Sequence, residues 1–254
     1  MRRNRLRELK SQGAAIVNAW LSIPSSYAAE AVAQQGFDAA TVDCQHGMIG
    51  FESAISMLQA ISTTSAIPLV RPSGNHPAEI MRFLDAGAYG VICPMISTAK
   101  DAAALVSACR YPPAGTRSFG PARGLLYGGS DYLAHANDEI LVLAMIETAE
   151  GLANLEAIVA TPGLDGIYVG PNDLALALGY APASESTDPI VAEAVERIRA
   201  AVVGAGKLAG IFCSNGAAAA SRVRQGFDLV TPGNDAALLK SAMAAAVASA
   251  REAG

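Results

Sequence analysis

The chain has 254 residues, a net charge of −5, and 16% charged against 52% hydrophobic residues. That length suits one α/β barrel better than two independent domains, and the acidic balance, with no Lys/Arg cluster beyond the opening MRRNRLRELK, argues against nucleic acid as a partner. Gly, Pro or charge interrupts every apolar run before it could span a bilayer, SQGAAIVNAW is no convincing signal core, and the four cysteines show no CxxC spacing, so the chain reads as a cytoplasmic protein with reduced thiols and no membrane association.

In chain order, the basic opening segment reads as a helix and AAIVNAW (14–20) as the first strand. GFDAA places a Gly before the second strand (37–43). Phe51, Ala54, Ile55, Leu58 and Ile61 then recur at helical spacing. IPLVR (67–71) is the third strand, and Pro77 opens a helix whose apolar face is Ile80, Phe83 and Leu84. YGVICP (89–94) is the fourth strand, and Thr98 with Asp101 resembles a capping box for helix 98–108. Residues 111–138, rich in Gly and Pro, exceed an ordinary loop and are expected to cover the active-site end, to build a subunit contact, or both. EILVLAMIE (139–147), LDGIYVG (164–170), KLAGIFC (207–213) and FDLVTPG (227–233) complete eight strands, with a helix expected at 149–160 and a closing helix at 237–254. Continuous rather than alternating apolar strands suit parallel pairing covered on both faces. The pattern predicts one TIM (β/α)8 barrel over 1–254; a doubly wound open sheet is the alternative, but no G-x-G-x-x-G follows the first strand.

In such a barrel the chemistry sits where strands end. Strand 2 ends in Asp43-Cys44-Gln45-His46, strand 3 in Arg71, strand 5 in Met145-Ile146-Glu147 and strand 6 in Gly170-Pro171-Asn172-Asp173. One such polar residue is usually a cap or half of an ion pair. A His, an Arg and at least two carboxylates at equivalent positions point to a site. Glu147 and Asp173 offer hard oxygen ligands with no Cys/His pair of zinc spacing, which favours Mg2+ or Mn2+, with Co2+ a further fit. A 2-oxo acid could fill the remaining positions through its carboxylate and carbonyl oxygens. For Glu147 the alternative is a carboxylate stabilised by the dipole of the following helix. None of the four lysines (Lys10, Lys100, Lys207, Lys240) follows the end of a predicted strand, which counts against a Schiff base and leaves Lewis-acid stabilisation.

Seven segments carry a resemblance: WLSIPSSY (20–27), VDCQHG (42–47), VRPS (70–73), LDAG (84–87), RYPPAGTR (110–117), IET (146–148) and GPNDL (170–174). With these the chain resembles the HpcH/HpaI aldolase family from Trp20 to about Asp235. The resemblance implies a phosphoenolpyruvate/pyruvate-type barrel and reversible aldol cleavage of 4-hydroxy-2-oxo acids to pyruvate or hydroxypyruvate plus an aldehyde. It implies metal ligation by Glu147 and Asp173, and backbone amides around Asn172 and Asp173 that hold the substrate carboxylate. His46 would be the base, Asp85 would raise its basicity, and Arg71 would stabilise developing oxygen charge. Trp20 and Gln45 are further candidates for substrate binding. Gln45 stands where the family usually has Glu, Met145 where a Gln is common, and Phe212 is larger than the aliphatic residue familiar there.

A CoA-thioester lyase of citrate-lyase beta type would need a basic groove, for which Arg110, Arg117 and Arg123 are the candidates. A catalytically silent barrel binding small acids is the other alternative. His76, His135 and the G-N-D-A-A turn (233–237) read as bystanders. The closing helix is nearly all small residues, with only Leu238, Leu239, Met243 and Val247 able to bury much area. Relatives exchange this helix between subunits, which implies a homo-oligomer built from dimers, a hexamer as a trimer of dimers.

Overall fold

A computed structural model describes residues 1–252; the last two residues of the expected closing helix lie outside the described residues. The first half runs α1 (Arg5–Ser11), β1 (Ile16–Leu21), α2 (Ser26–Ala33), β2 (Ala39–Asp43), α3 (Phe51–Ile61), β3 (Ile67–Arg71), α4 (Pro77–Asp85), β4 (Gly90–Cys93) and α5 (Ala99–Cys109). Then come α6 (Ala122–Gly128), α7 (Tyr132–Glu139), β5 (Leu141–Ile146), α8 (Ala149–Ala153), α9 (Leu155–Val159), β6 (Gly166–Val169) and α10 (Pro171–Ala177). The chain closes with α11 (Pro189–Gly204), β7 (Leu208–Cys213), α12 (Gly216–Arg224), β8 (Leu229–Pro232) and α13 (Asp235–Arg251).

The eight strands pair in parallel, each with the next, and β8 returns to β1, closing the barrel expected from the sequence. The apolar strands are buried almost throughout because helices cover their outer faces. Thr98 and Asp101 do form the capping box of α5. The helix expected at 149–160 is two short pieces that meet at Asn154.

The barrel interior is not wholly apolar. Thr231 Oγ1 accepts from Asn18 Nδ2 (3.0 Å) and Tyr168 Oη (2.7 Å), while Asn18 Oδ1 accepts from Thr41 Oγ1 (3.0 Å). These four residues lie on strands β1, β2, β6 and β8 and cross-link the barrel beneath its mouth.

Residues 111–138 correct one expectation. They contain α6 and α7, and they connect α5 to β5, which places them at the amino-terminal end of the strands, away from the mouth. Arg2 N–H donates to the Gly128 carbonyl and Tyr89 Oη to the Arg2 carbonyl, so the chain's first residues pack there too. The segment does not cover the carboxyl-terminal end of its own barrel. Nor is Arg110, Arg117 or Arg123 free to line a groove. Arg110 binds the Ile140 carbonyl (2.9 Å) and Asp165 (3.1 Å), Arg117 binds Tyr132 (3.0 Å) and Asp85 (2.8 Å), and Arg123 binds the Ala86 carbonyl (2.8 Å) and Ser62 (2.6 Å).

Helix α13 presents its large side chains outward: Leu238, Leu239, Met243 and Val247 are 45–60% exposed. No described helix is long and apolar enough to cross a membrane.

Thr231→Val should destabilise the fold by about 2–4 kcal/mol, because two buried donors lose their shared acceptor. A lower urea midpoint with an unchanged slope is the expected reading. An unchanged midpoint would show that Asn18 and Tyr168 do not depend on Thr231.

Candidate active site

The carboxyl-terminal ends of the strands surround a cavity of about 290 Å³ lined by Trp20, Ser22, Asp43, His46, Arg71, Met145, Glu147, Gly170, Pro171, Asn172, Asp173, Phe212 and Asn234. Eight of the ten residues expected at the site (Trp20, His46, Arg71, Met145, Glu147, Asn172, Asp173 and Phe212) are in that lining.

One half of the cavity is organised by an ion pair. Arg71 Nε and Nη2 grip Asp43 Oδ1 (2.8 Å) and Oδ2 (2.6 Å), with both residues buried. Trp20 Nε1 donates to Asp43 Oδ2 (3.1 Å), and the amides of Gln45 and His46 donate to Oδ1 (3.1 and 3.2 Å). Burial pulls the Asp43 carboxyl upward, but Arg71, the His46 amide and the indole together hold it below the usual carboxylate range. The Arg71 guanidinium lies over the Trp20 ring at 4.8 Å, and that ring stacks on Tyr168 at 5.5 Å. Asp43 is the functional residue missed from the sequence. It stands in the quoted VDCQHG motif, where a strand-end Asp between apolar residues and His46 was a usable signal. Its bonds fix Arg71 and the start of the His46 loop together.

The other half is acidic. Glu147 directly follows β5 rather than lying within it, and Thr148 caps α8. Glu147 Oε1 accepts from Met95 N–H (2.8 Å), and Met95 adopts a left-handed backbone (φ 59°), unfavourable for a side-chain-bearing residue, with its amide on that carboxylate. A Cβ on Gly170 would come within 2.3 Å of Glu147 Oε2, so a larger residue there would displace that carboxylate. Burial raises the Glu147 carboxyl to about 7, helped by the negative charge of Asp173 and opposed by the Met95 amide and Arg71. Asp173 occupies the first turn of α10, which has Pro171 at its start and no side-chain cap; the amides of Asn172 and Asp173 precede the first intrahelical bond, from Leu174 N–H to the Gly170 carbonyl (3.0 Å).

Two carboxylates facing one cavity, one of them buried, fit a divalent ion in donor type and charge. Among the described residues no three His, Cys, Asp or Glu side chains form a complete cage. Glu147 and Asp173 would therefore be two ligands of an incomplete set, leaving positions for water and for oxygen atoms of a bound acid.

Two expectations need correction. Asp85 ends α4, and the carboxyl end of that helix lies at the amino-terminal side of the barrel, where Arg117 binds its carboxylate. Within one chain it does not support His46. Gln45 does not line the cavity; its Oε1 is buried without a hydrogen-bond partner among the described residues.

Comparison with known proteins agrees with this architecture. The chain is 44% identical over 248 residues to a hydroxypyruvate/pyruvate aldolase of Rhizorhabdus wittichii, covering 98% of this chain and 99% of that one. It is 37% identical over 240 residues to a 4-hydroxy-2-oxo-heptane-1,7-dioate aldolase of Salmonella arizonae, covering 93% and 90%. A solved HpcH/HpaI aldolase/citrate lyase family protein of Burkholderia cenocepacia superposes with a TM-score of 0.92 at 34% identity, covering 98% of this chain and 100% of that one. The family model described as HpcH/HpaI aldolase/citrate lyase matches residues 17–242, and the chain belongs to that family.

Proposed function

We propose that the protein is a divalent-metal-dependent (class II) aldolase that reversibly cleaves 4-hydroxy-2-oxo acids to pyruvate or hydroxypyruvate and an aldehyde. The observation that carries this reading is one cavity with Glu147 and Asp173 on one side, His46 and Arg71 on the other, and no lysine in its lining. Family membership and aldolase-named relatives at 37–44% identity support a carbon–carbon lyase. A bound Mg2+, Mn2+ or Co2+ would supply Lewis acidity toward the 2-oxo group. The residues then divide the work. The amides of Asn172 and Asp173 hold the substrate carboxylate at the start of α10. In cleavage, His46 accepts the proton of the 4-hydroxyl as the C3–C4 bond breaks and the electron pair passes to C3 and the 2-oxo oxygen; once the aldehyde has left, His46 returns that proton to C3 to give the product methyl or hydroxymethyl group. Arg71, already aligned by Asp43, faces the oxygen on which charge develops. Met145 and Phe212 supply the apolar wall, with Phe212 narrowing the aldehyde side. The CoA-thioester reading loses its support, since the three arginines it needed are engaged at the opposite end.

Chelation with EDTA should abolish aldol activity, and a divalent ion should restore it. Borohydride treatment in the presence of pyruvate should leave no covalent adduct; a trapped adduct would sink the reading. His46→Ala should lower turnover by roughly 10²- to 10⁴-fold while the protein still binds Mn2+. Wild-type exchange of pyruvate methyl protons in that variant would mean that another group is the base.

Glu147 makes the metal-free fold pH-dependent with a definite sign. From its ordinary 4.5 up to about 7 the folded carboxyl keeps a proton that the unfolded chain releases, so stability falls as pH rises through that window. The loss amounts to about 3 kcal/mol above it. Glu147→Gln should therefore melt about 5–10 °C above the metal-free wild type at pH 8, gain nothing at pH 4, and no longer be stabilised by Mn2+. Equal differences at both pH values would show that Glu147 ionisation is not the cause.

The exposed apolar stripe of α13 is the reason to propose assembly, with this helix and residues 111–138 at the contacts of a hexamer built from dimers. The oligomer, with α13 exchanged, would bury a face that a monomer leaves in water. Light scattering should give a multiple of 25.9 kDa, and a mass near 25.9 kDa at working concentration would refute it. The four free cysteines and the lack of a spanning helix among the described residues accord with a cytoplasmic enzyme.

A further inference from the structure

The first turn of α13 reaches the mouth of the barrel. Its N-cap, Asn234, lines the cavity and accepts from Ala237 N–H (2.7 Å). The next residue, Asp235, is a buried carboxylate. Its Oδ1 accepts from Ser22 N–H (2.8 Å), from Ser22 Oγ (2.8 Å) and from Ala236 N–H (2.8 Å), and its Oδ2 accepts from Ile23 N–H (3.2 Å). Ser22 directly follows β1 and lines the cavity. Its carbonyl accepts from Met48 N–H (3.2 Å), two residues beyond His46. Between them Gly47 is so crowded that a Cβ there would lie 2.2 Å from the Asp43 carbonyl oxygen and 3.1 Å from Ser22 Cα. The His46 loop is thus held from two sides, by Asp43 on the amides of Gln45 and His46 and by Ser22 on the amide of Met48. The barrel does not need the second hold to close, because β1 already pairs with β2 and β8.

We infer that Asp235 is a positioning residue for His46: it fixes Ser22, and Ser22 fixes the far side of the loop that carries the imidazole. This rests on the aldolase reading in which His46 moves the proton. Asp235 needs no contact with substrate for this role. A loosened loop misplaces the base but leaves Glu147, Asp173 and the start of α10 undisturbed, so proton transfer suffers and binding does not.

The experiment follows exchange of pyruvate methyl protons in the Mn2+-loaded enzyme, together with the His46 imidazole resonance in metal-free protein. The chain has three histidines, so that resonance is identified by its loss in His46→Ala. Asp235→Asn should lower kcat for exchange about 10- to 100-fold, as misplacement of a reacting group does. KM for pyruvate should stay within about twofold, as for an interaction that acts on the chemical step alone. The His46 resonance should shift. Asp38→Asn is the control for a merely structural role: Asp38 Oδ2 accepts from Val17 N–H (3.0 Å) at the other end of β1, so its loss should lower Tm without changing the exchange rate or the resonance. Wild-type exchange with an unmoved His46 resonance in Asp235→Asn would overturn the inference. Absence of exchange in the wild type with every divalent ion would instead sink the aldolase reading, and the resonance alone would then decide on Asp235. Should Asp235→Asn not fold, Ser22→Ala gives a milder version with the same expected sign, and an unmoved rate and resonance there would be equally fatal.

Discussion

The ion pair between Asp43 and Arg71 is the interaction on which the site depends. Burying two charges is expensive, and a pair of this kind rarely adds net stability compared with apolar packing of the same volume. Its value lies in geometry. Both Asp43 oxygens are occupied by the guanidinium, the Trp20 indole and two backbone amides, so Arg71 has one orientation and the His46 loop one starting direction. Removing either partner would leave the other charge buried alone, at a cost of about 3–5 kcal/mol. The pair joins the ends of β2 and β3 directly, and through Trp20 it reaches β1.

Across the cavity the constraint has the opposite character. Glu147 is held where its charge is disfavoured, with one backbone amide from a left-handed Met95 and the added repulsion of Asp173. The unfavourable electrostatics there accord with the proposed divalent ion. One half of the mouth is thus an ion pair held by its own hydrogen bonds, while the other gathers two carboxylates, one of them buried. That division matches a reaction in which one half moves protons and the other binds a chelating acid.

Much of this was legible in the residues because a parallel strand buried on both faces writes a continuous apolar run, and the first polar residue after it marks the mouth. His46, Arg71, Glu147 and Asp173 all stand at or within four residues of such strand ends, and all four line the cavity. What sequence does not write is which end of the barrel a connecting segment visits relative to the chemistry. Asp85 was assigned to the active site from a motif, and residues 111–138 to the active-site end, a subunit contact or both; both lie at the amino-terminal end of the strands, because Asp85 ends α4 and 111–138 lead from α5 to β5. Gln45 failed for a different reason. Adjacent residues at a strand end point to different sides, and the backbone of Gln45 is held by Asp43 while His46 takes the cavity. Asp235 was hidden inside a turn that read as a bystander; its partners Ser22 and Ile23 are more than two hundred residues away in sequence, beyond any local pattern.

Helix α13 shows how a thin element can still matter. Its apolar stripe gains little from its own barrel, so its body is free to pack elsewhere without unfolding the eight strands. Its first turn is the reverse: Asp235 is bound at the mouth to Ser22, which borders the cavity, and Asn234, itself in the lining, caps the helix through Ala237 N–H. A helix anchored at the site and unsatisfied along its length is a lever with one fixed end. Any surface that captures Leu238, Leu239, Met243 and Val247 also restrains the backbone that presents Asp235 to Ser22, and through Met48 the loop of His46. On the proposed assembly and the proposed role of His46, oligomer contacts and base placement would meet in one carboxylate, a physical reason for a barrel whose strands close without α13 to keep that helix.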